Sequence, residues 1–105
     1  MLDELRAALS STGYPFEHFG WSHAPTGDYG VYSEDGSDDF FSDDGHGEQS
    51  LTGTIDLFTR DDSDTPRIAV ETALASLENC AWYLNSVQFE SESGYIHLEW
   101  AFEVV

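Results

Sequence analysis

The residues with chemistry to offer in this chain are its carboxylates, four histidines and one cysteine. Carboxylates are densest at 34–48, where Glu34, Asp35, Asp38, Asp39, Asp43, Asp44 and Glu48 alternate with Gly36, Gly45 and Gly47. A calcium loop of the EF-hand type needs carboxylates at alternate positions ahead of its glycine and a bidentate Glu at its end. Counting back from Gly45 puts Phe40 in the first ligand place and Ser42 in the third, so the pattern fails. His46 and Glu48, joined by His18 or His23, would be a start on a transition-metal set. Zinc sites, however, need three or four convergent ligands drawn from short-spaced pairs, and one such pair reads as exposed loop histidine. Cys80 sits beside Ala81 and Trp82 at the end of a helical pattern, which predicts a small buried thiol. There is no Gly-x-Ser-x-Gly elbow and no phosphate-cradling glycine loop. The expectation is a non-enzymatic protein with no cofactor and no metal site.

The carboxylates matter instead through their sum. Asp and Glu number 21 against three arginines, Arg6, Arg60 and Arg67, and the chain of 105 residues has a net charge of −18 with no lysine. Such a body repels itself unless salt screens it, since exposed charges interact over about 10 Å at 0.1 M but about 3 Å at 1 M. Binding duplex DNA relies on Lys and Arg neutralising phosphates, so sequence-reading of DNA is disfavoured. A surface past which DNA slides without sticking is the opposite need, and acid meets it. The composition also resembles that of proteins from organisms that accumulate molar salt. A hydrophobic fraction of 40% and an aromatic fraction of 14% exclude a disordered acidic chain. One domain over 1–105 is expected, with no bilayer-spanning run and no signal-peptide pattern. A lone cysteine points to a reducing compartment.

The periodicity of the sequence predicts the elements that carry these groups. Residues 2–12 form an amphipathic helix with Leu2, Leu5, Ala8 and Leu9 on one face, stopped by Gly13 and Pro15. Residues 14–21 are aromatic and extended, a turn follows at 24–27, and 29–33 form a short strand. The acidic stretch 34–49 reads as a long loop carrying Phe40 and Phe41. A strand at 50–60 places Leu51, Gly53, Ile55 and Leu57 on one face. Thr65 as N-cap and Pro66 at the first helical position start a helix that runs to residue 79 and buries Val70, Ala73, Leu74 and Leu77. A hairpin of strands 81–90 and 95–104 closes the chain, with Ile96, Leu98, Trp100, Phe102 and Val104 inward. The predicted fold is α+β: an antiparallel sheet of about four strands, two helices on one face, and the acidic loop between the first and second strands.

Taken in order, these pieces resemble the tail terminators, or tail-completion proteins, of long-tailed phages and related archaeal viruses. Gly13-Tyr14-Pro15-Phe16 follows the first helix, and Asp28-Tyr29-Gly30-Val31-Tyr32 opens the sheet. Asp38-Asp39-Phe40-Phe41-Ser42-Asp43-Asp44 stands where that family carries an acidic polar loop. Thr54-Ile55-Asp56-Leu57-Phe58-Thr59 resembles its strand ending in an aromatic and a threonine, and Trp100-Ala101-Phe102-Glu103-Val104 its closing strand. The chain departs from the family in keeping only Pro25 of a proline-rich approach to the first strand, and in nearly lacking basic residues on the helices.

The resemblance implies a structural virion protein at the tail–neck junction, assembled in the host cytoplasm. It would cap the tail tube as a hexameric ring, contact the tube protein and the neck or connector proteins, and pass DNA through an acidic lumen without binding it or any membrane. Subunit-interface candidates are Tyr14, Phe16, Phe19, Trp21, Arg60 and Arg67, together with the outward face of the last strands; the aromatics among them read equally well as ordinary core capping the sheet. Candidates for a loop facing the lumen, tube or neck are Asp38, Asp39, Phe40, Phe41, Asp43 and Asp44. Two other readings stay open: a different head–tail joining or neck protein, and a small acidic inhibitor that mimics DNA.

Overall fold

The computed structural model describes residues 2–37 and 50–105. Helix α1 (Asp3–Ser10) is followed by strands β1 (Phe16–His18), β2 (Tyr29–Ser37) and β3 (Leu51–Thr59), helix α2 (Thr65–Ala75), and strands β4 (Cys80–Glu90) and β5 (Tyr95–Val104). The strands form one sheet in the order β1-β2-β3-β5-β4.

The α+β class with two helices on a mostly antiparallel sheet is as the periodicity indicates. Three details differ. The sheet has five strands, because part of the aromatic stretch pairs with β2 in parallel, Phe16 opposite Gly30 and His18 opposite Tyr32. Gly30 makes this possible: a side chain there would run into the Phe16 ring. Its N–H donates to the Pro15 carbonyl at 2.8 Å, and its own carbonyl accepts from the Trp21 indole at 2.8 Å. Second, β2 continues through Glu34–Ser37 where composition suggests loop, held by Gly36 opposite Thr52 and Ser37 opposite Leu51. The 38–49 stretch therefore lies between the second and third strands. Third, α2 ends at Ala75, where the Ser76 hydroxyl donates back to the Ala73 carbonyl at 2.6 Å. Its N-cap is Asp64, with Thr65 and Pro66 inside the first turn.

The core lies between the helices and one face of the sheet. Leu5 and Leu9 of α1 and Val70 and Leu74 of α2 pack with Ile55, Leu57, Leu98, Trp100, Phe102 and Val104 in one cluster. Period-two alternation puts the inward residues of β3 and β5 opposite each other, Ile55 on Trp100 and Leu57 on Leu98. Trp100 is fully buried, and its indole N–H donates to Glu71 of α2 at 3.0 Å. The same carboxylate takes the Arg67 guanidinium at 3.0 Å one helical turn away. Gly53 is required between β2 and β5, since a Cβ would meet the Ser33 carbonyl and the Phe102 ring. No helix among the described residues is long and apolar enough to cross a membrane.

Candidate functional site

With both helices on one face, the other face of the sheet stays open among the described residues, and strand register decides what it displays. Residues directly opposite one another share a face. One row therefore runs Glu17, Val31, Asp56, Glu99, Ser86 across all five strands, placing three carboxylates on the open face. The Asp56 and Glu99 carboxylates sit on adjacent residues of the same ladder. Glu103, four residues beyond Glu99 and on the same face of β5, accepts from the Ser50 hydroxyl at 2.9 Å. Asp35 accepts from Thr52 at 3.0 Å. Acid thus spans the open sheet, on rigid strands as well as in loops.

The neighbouring row is aromatic: Tyr29, Phe58 and His97, on β2, β3 and β5. Phe58 stacks on Tyr29 with ring centroids 4.9 Å apart and on His97 at 4.3 Å. His97 Nε2 lies 2.7 Å from the Asp56 carboxylate and Nδ1 lies 3.8 Å from that of Glu90. Burial pushes the Asp56 carboxyl up; the hydrogen bond and charge of His97 oppose that, and Glu99 adds to it. On the helix side, His18 Nε2 is 2.6 Å from Glu34. The Glu34 carboxyl is held low first by its own backbone N–H and then by His18.

The end of the aromatic row is clipped by Arg60. Its guanidinium lies 3.9 Å over the Tyr95 ring and donates to the carbonyls of Ser93 and Thr26. Asp28 accepts from the Thr59 hydroxyl at 2.6 Å and from the Arg60 backbone at 3.2 Å. These bonds join the turns on either side of the sheet's end.

The six interface candidates are thus placed unequally. Tyr14 and Phe16 pack against the core cluster, and Trp21 spends its indole N–H on Gly30. Arg60 is engaged in the clip and Arg67 pairs with Glu71. Phe19 projects into solvent. Asp38, Asp39, Phe40, Phe41, Asp43 and Asp44 lie outside the described residues, as do His46 and Glu48. Missing from the sequence reading by name are Tyr83, Val87 and Phe89, exposed on β4. A readable signal existed: residues 79–89 contain no charged side chain.

Cys80 is half-buried and its thiol is pushed up by burial, with no cation beside it to favour the thiolate. Among the described residues, no group of three or more His, Cys, Asp or Glu is placed to hold a metal ion. What the geometry does supply is an acidic open sheet between two strand edges. No protein-family model matches this sequence, and no curated protein matches it.

Proposed function

We propose that this chain is a structural protein of a viral tail, a tail terminator that caps the tail tube as a homo-oligomeric ring of six copies and joins it to the head–neck complex. The observation that carries the reading is the carboxylate row Glu17, Asp56 and Glu99 on a sheet face that no helix among the described residues covers. Placed toward a lumen, that face repels phosphate and lets the genome pass without sticking. The element order supports the same reading: helix, aromatic segment, acidic stretch, strand, helix, closing hairpin. Partners on this reading are further copies of the chain, the tube protein and the neck proteins, and the role is mechanical rather than enzymatic.

Negative-stain microscopy in about 1–2 M salt, where the screening length is about 3 Å or less, tests it. Six-fold rings are expected, and mixing with tail tubes should place them at tube ends. Rings indifferent to tubes would assign the chain to another neck position. A sample monomeric at every concentration would sink the ring.

Carboxylates on rigid strands suit a second reading, a DNA-mimicking inhibitor, but their spacing does not match regular phosphates. Adjacent strands lie about 4.8 Å apart, so the row spaces its charges unevenly, with β2 contributing Val31 between Glu17 and Asp56. A mimic would be a monomer or dimer that displaces DNA from a basic protein.

A further inference from the structure

We infer that the outer edge of β4, unpaired among the described residues, is the docking surface for a second copy of this chain, which presents its opposite edge, β1 and the segment after it. This deepens the ring reading by naming the junction, and it rests on that reading only for closure of the ring.

Charge distribution is the first ground. Charged residues make up 23% of the chain, yet residues 79–89 contain none and residues 7–27 contain only Glu17. The strands within these two stretches form opposite edges of the sheet, β4 one and β1 the other. A body with a net charge of −18 is repelled by its own copy wherever carboxylates face each other. These two stretches bring few carboxylates of their own to face a second copy.

The edges themselves are the second ground. An unpaired strand offers a row of N–H and C=O groups to another chain, and proteins that stay monomeric blunt it with Lys, Pro or charge. From Cys80 to Phe89 this edge carries no such residue. Its one irregularity, the register shift between Leu84 and Ser86, leaves Val87 and Phe89 on the helix side of the sheet with Leu84. Tyr83, Val87 and Phe89 are 61%, 55% and 67% exposed. At the opposite edge Phe19 is 68% exposed and adopts φ +70°, a left-handed backbone that a bulky side chain disfavours. Its N–H is fixed to the Tyr32 carbonyl at 2.9 Å and its ring lies 3.9 Å from that of His18. Within one copy this strained backbone leaves most of the ring in solvent, stacked only on His18; against a second copy it supplies an apolar knob beside an open strand.

The choice of β1 as the mating edge follows from the charges at the ends of β4. Antiparallel pairing of β4 with another β4 would bring Glu90 and Glu92 toward the second copy's Glu78 at both ends of the ladder. Pairing with β1 meets Glu17 and, beside His18, the Glu34 carboxylate that His18 already partners. The junction is therefore head-to-tail, with main-chain bonds giving affinity and the apolar side chains giving register.

Sedimentation equilibrium of the full chain in about 1–2 M salt tests this with three variants. Val87→Lys with Phe89→Lys should weaken association by about tenfold or more, as should Phe19→Gly, which also relieves the left-handed strain. Ile68→Lys, at an exposed apolar position on α2, should leave association unchanged. An equimolar mixture of the two edge variants should form heterodimers and nothing larger, since each copy keeps one intact edge. If Phe19→Gly assembles like the wild type while the β4 variant does not, the junction is symmetric and the inference is wrong. Rings that form with both variants overturn it too while leaving the ring reading standing, and a wild type that never associates removes both. Should the double lysine variant fail to fold, hydrogen exchange on the wild type decides. The β4 amides should gain protection as concentration rises, with those of β3 unchanged; an unchanged β4 refutes the junction.

Discussion

Asp56 concentrates the electrostatic problem of this protein in one side chain. It is largely buried, faces Glu99 on the next strand, and has His97 as its compensating partner. Burial raises its carboxyl above the ordinary 3.8 despite that partner, so the folded chain holds the Asp56 proton more tightly than the unfolded chain does. The stability linked to this group is fully present below about pH 3.8 and is lost as pH rises through the raised folded value. Asp56→Asn keeps a hydrogen-bonding partner for His97 and removes the buried charge. At pH 7 it should stabilise the protein by roughly 0.5–1 kcal/mol, the order of a like-charge pair across strands. The gain should vanish in urea melts below pH 3.8, where both proteins are neutral at this position. A variant less stable than the wild type at pH 7 would mean that the His97–Asp56 ion pair outweighs burial. Neither Asp56 nor His97 stands out in the sequence, because their partnership is made by register between strands 41 residues apart.

At the scale of elements, Gly30 decides whether the sheet has four strands or five. An alanine there displaces the Phe16 ring and with it the three-residue strand β1, while β2 to β5 keep their own pairings. Gly30→Ala should cost about 1–3 kcal/mol, in line with other overpacked core sites. Hydrogen exchange should show amides 16–19 deprotected and those of β3 and β5 intact; protected β1 amides in the variant would show that another contact holds the strand. The same example marks how far sequence reaches here. Strong alternation makes β3 and β5 legible with their faces, and Pro66 marks the start of α2. The acid, glycine and serine of 34–37 have the composition of a loop, and only pairing with β3 makes them strand. The parallel pairing of β1 depends on a glycine that admits an aromatic ring from a distant segment, which periodicity does not encode. Of the interface candidates, aromatic content alone does not separate Phe19, left in solvent, from Tyr14 and Phe16, drawn into the core.

For the whole molecule, the net charge of −18 is a term that every fold and every assembly of this chain must absorb. The described residues offer few internal counter-charges: Arg67 pairs with Glu71, and Arg60 turns its guanidinium to carbonyls and the Tyr95 ring instead. Screening by salt has to do the rest. Going from 1 M to 0.1 M lengthens the screening distance from about 3 Å to about 10 Å, beyond the roughly 4.8 Å between adjacent strands. Carboxylates on neighbouring strands, nearly independent at high salt, then repel across the sheet. The melting temperature should fall as salt is lowered, by about 4–8 °C for each kcal/mol of added repulsion in a domain of this size. Neutralising the open-face row separates this from a general salt effect. Glu17→Gln with Glu99→Gln removes two of its three charges and should flatten the dependence of melting temperature on salt, whereas Glu78→Gln and Glu92→Gln, off the row, should flatten it less. A melting temperature that climbs as salt is withdrawn would show that specific ion pairs, weakened by salt, outweigh the like-charge field. Equal flattening by the two double variants would instead spread the repulsion over the whole surface and deprive the open face of its special place.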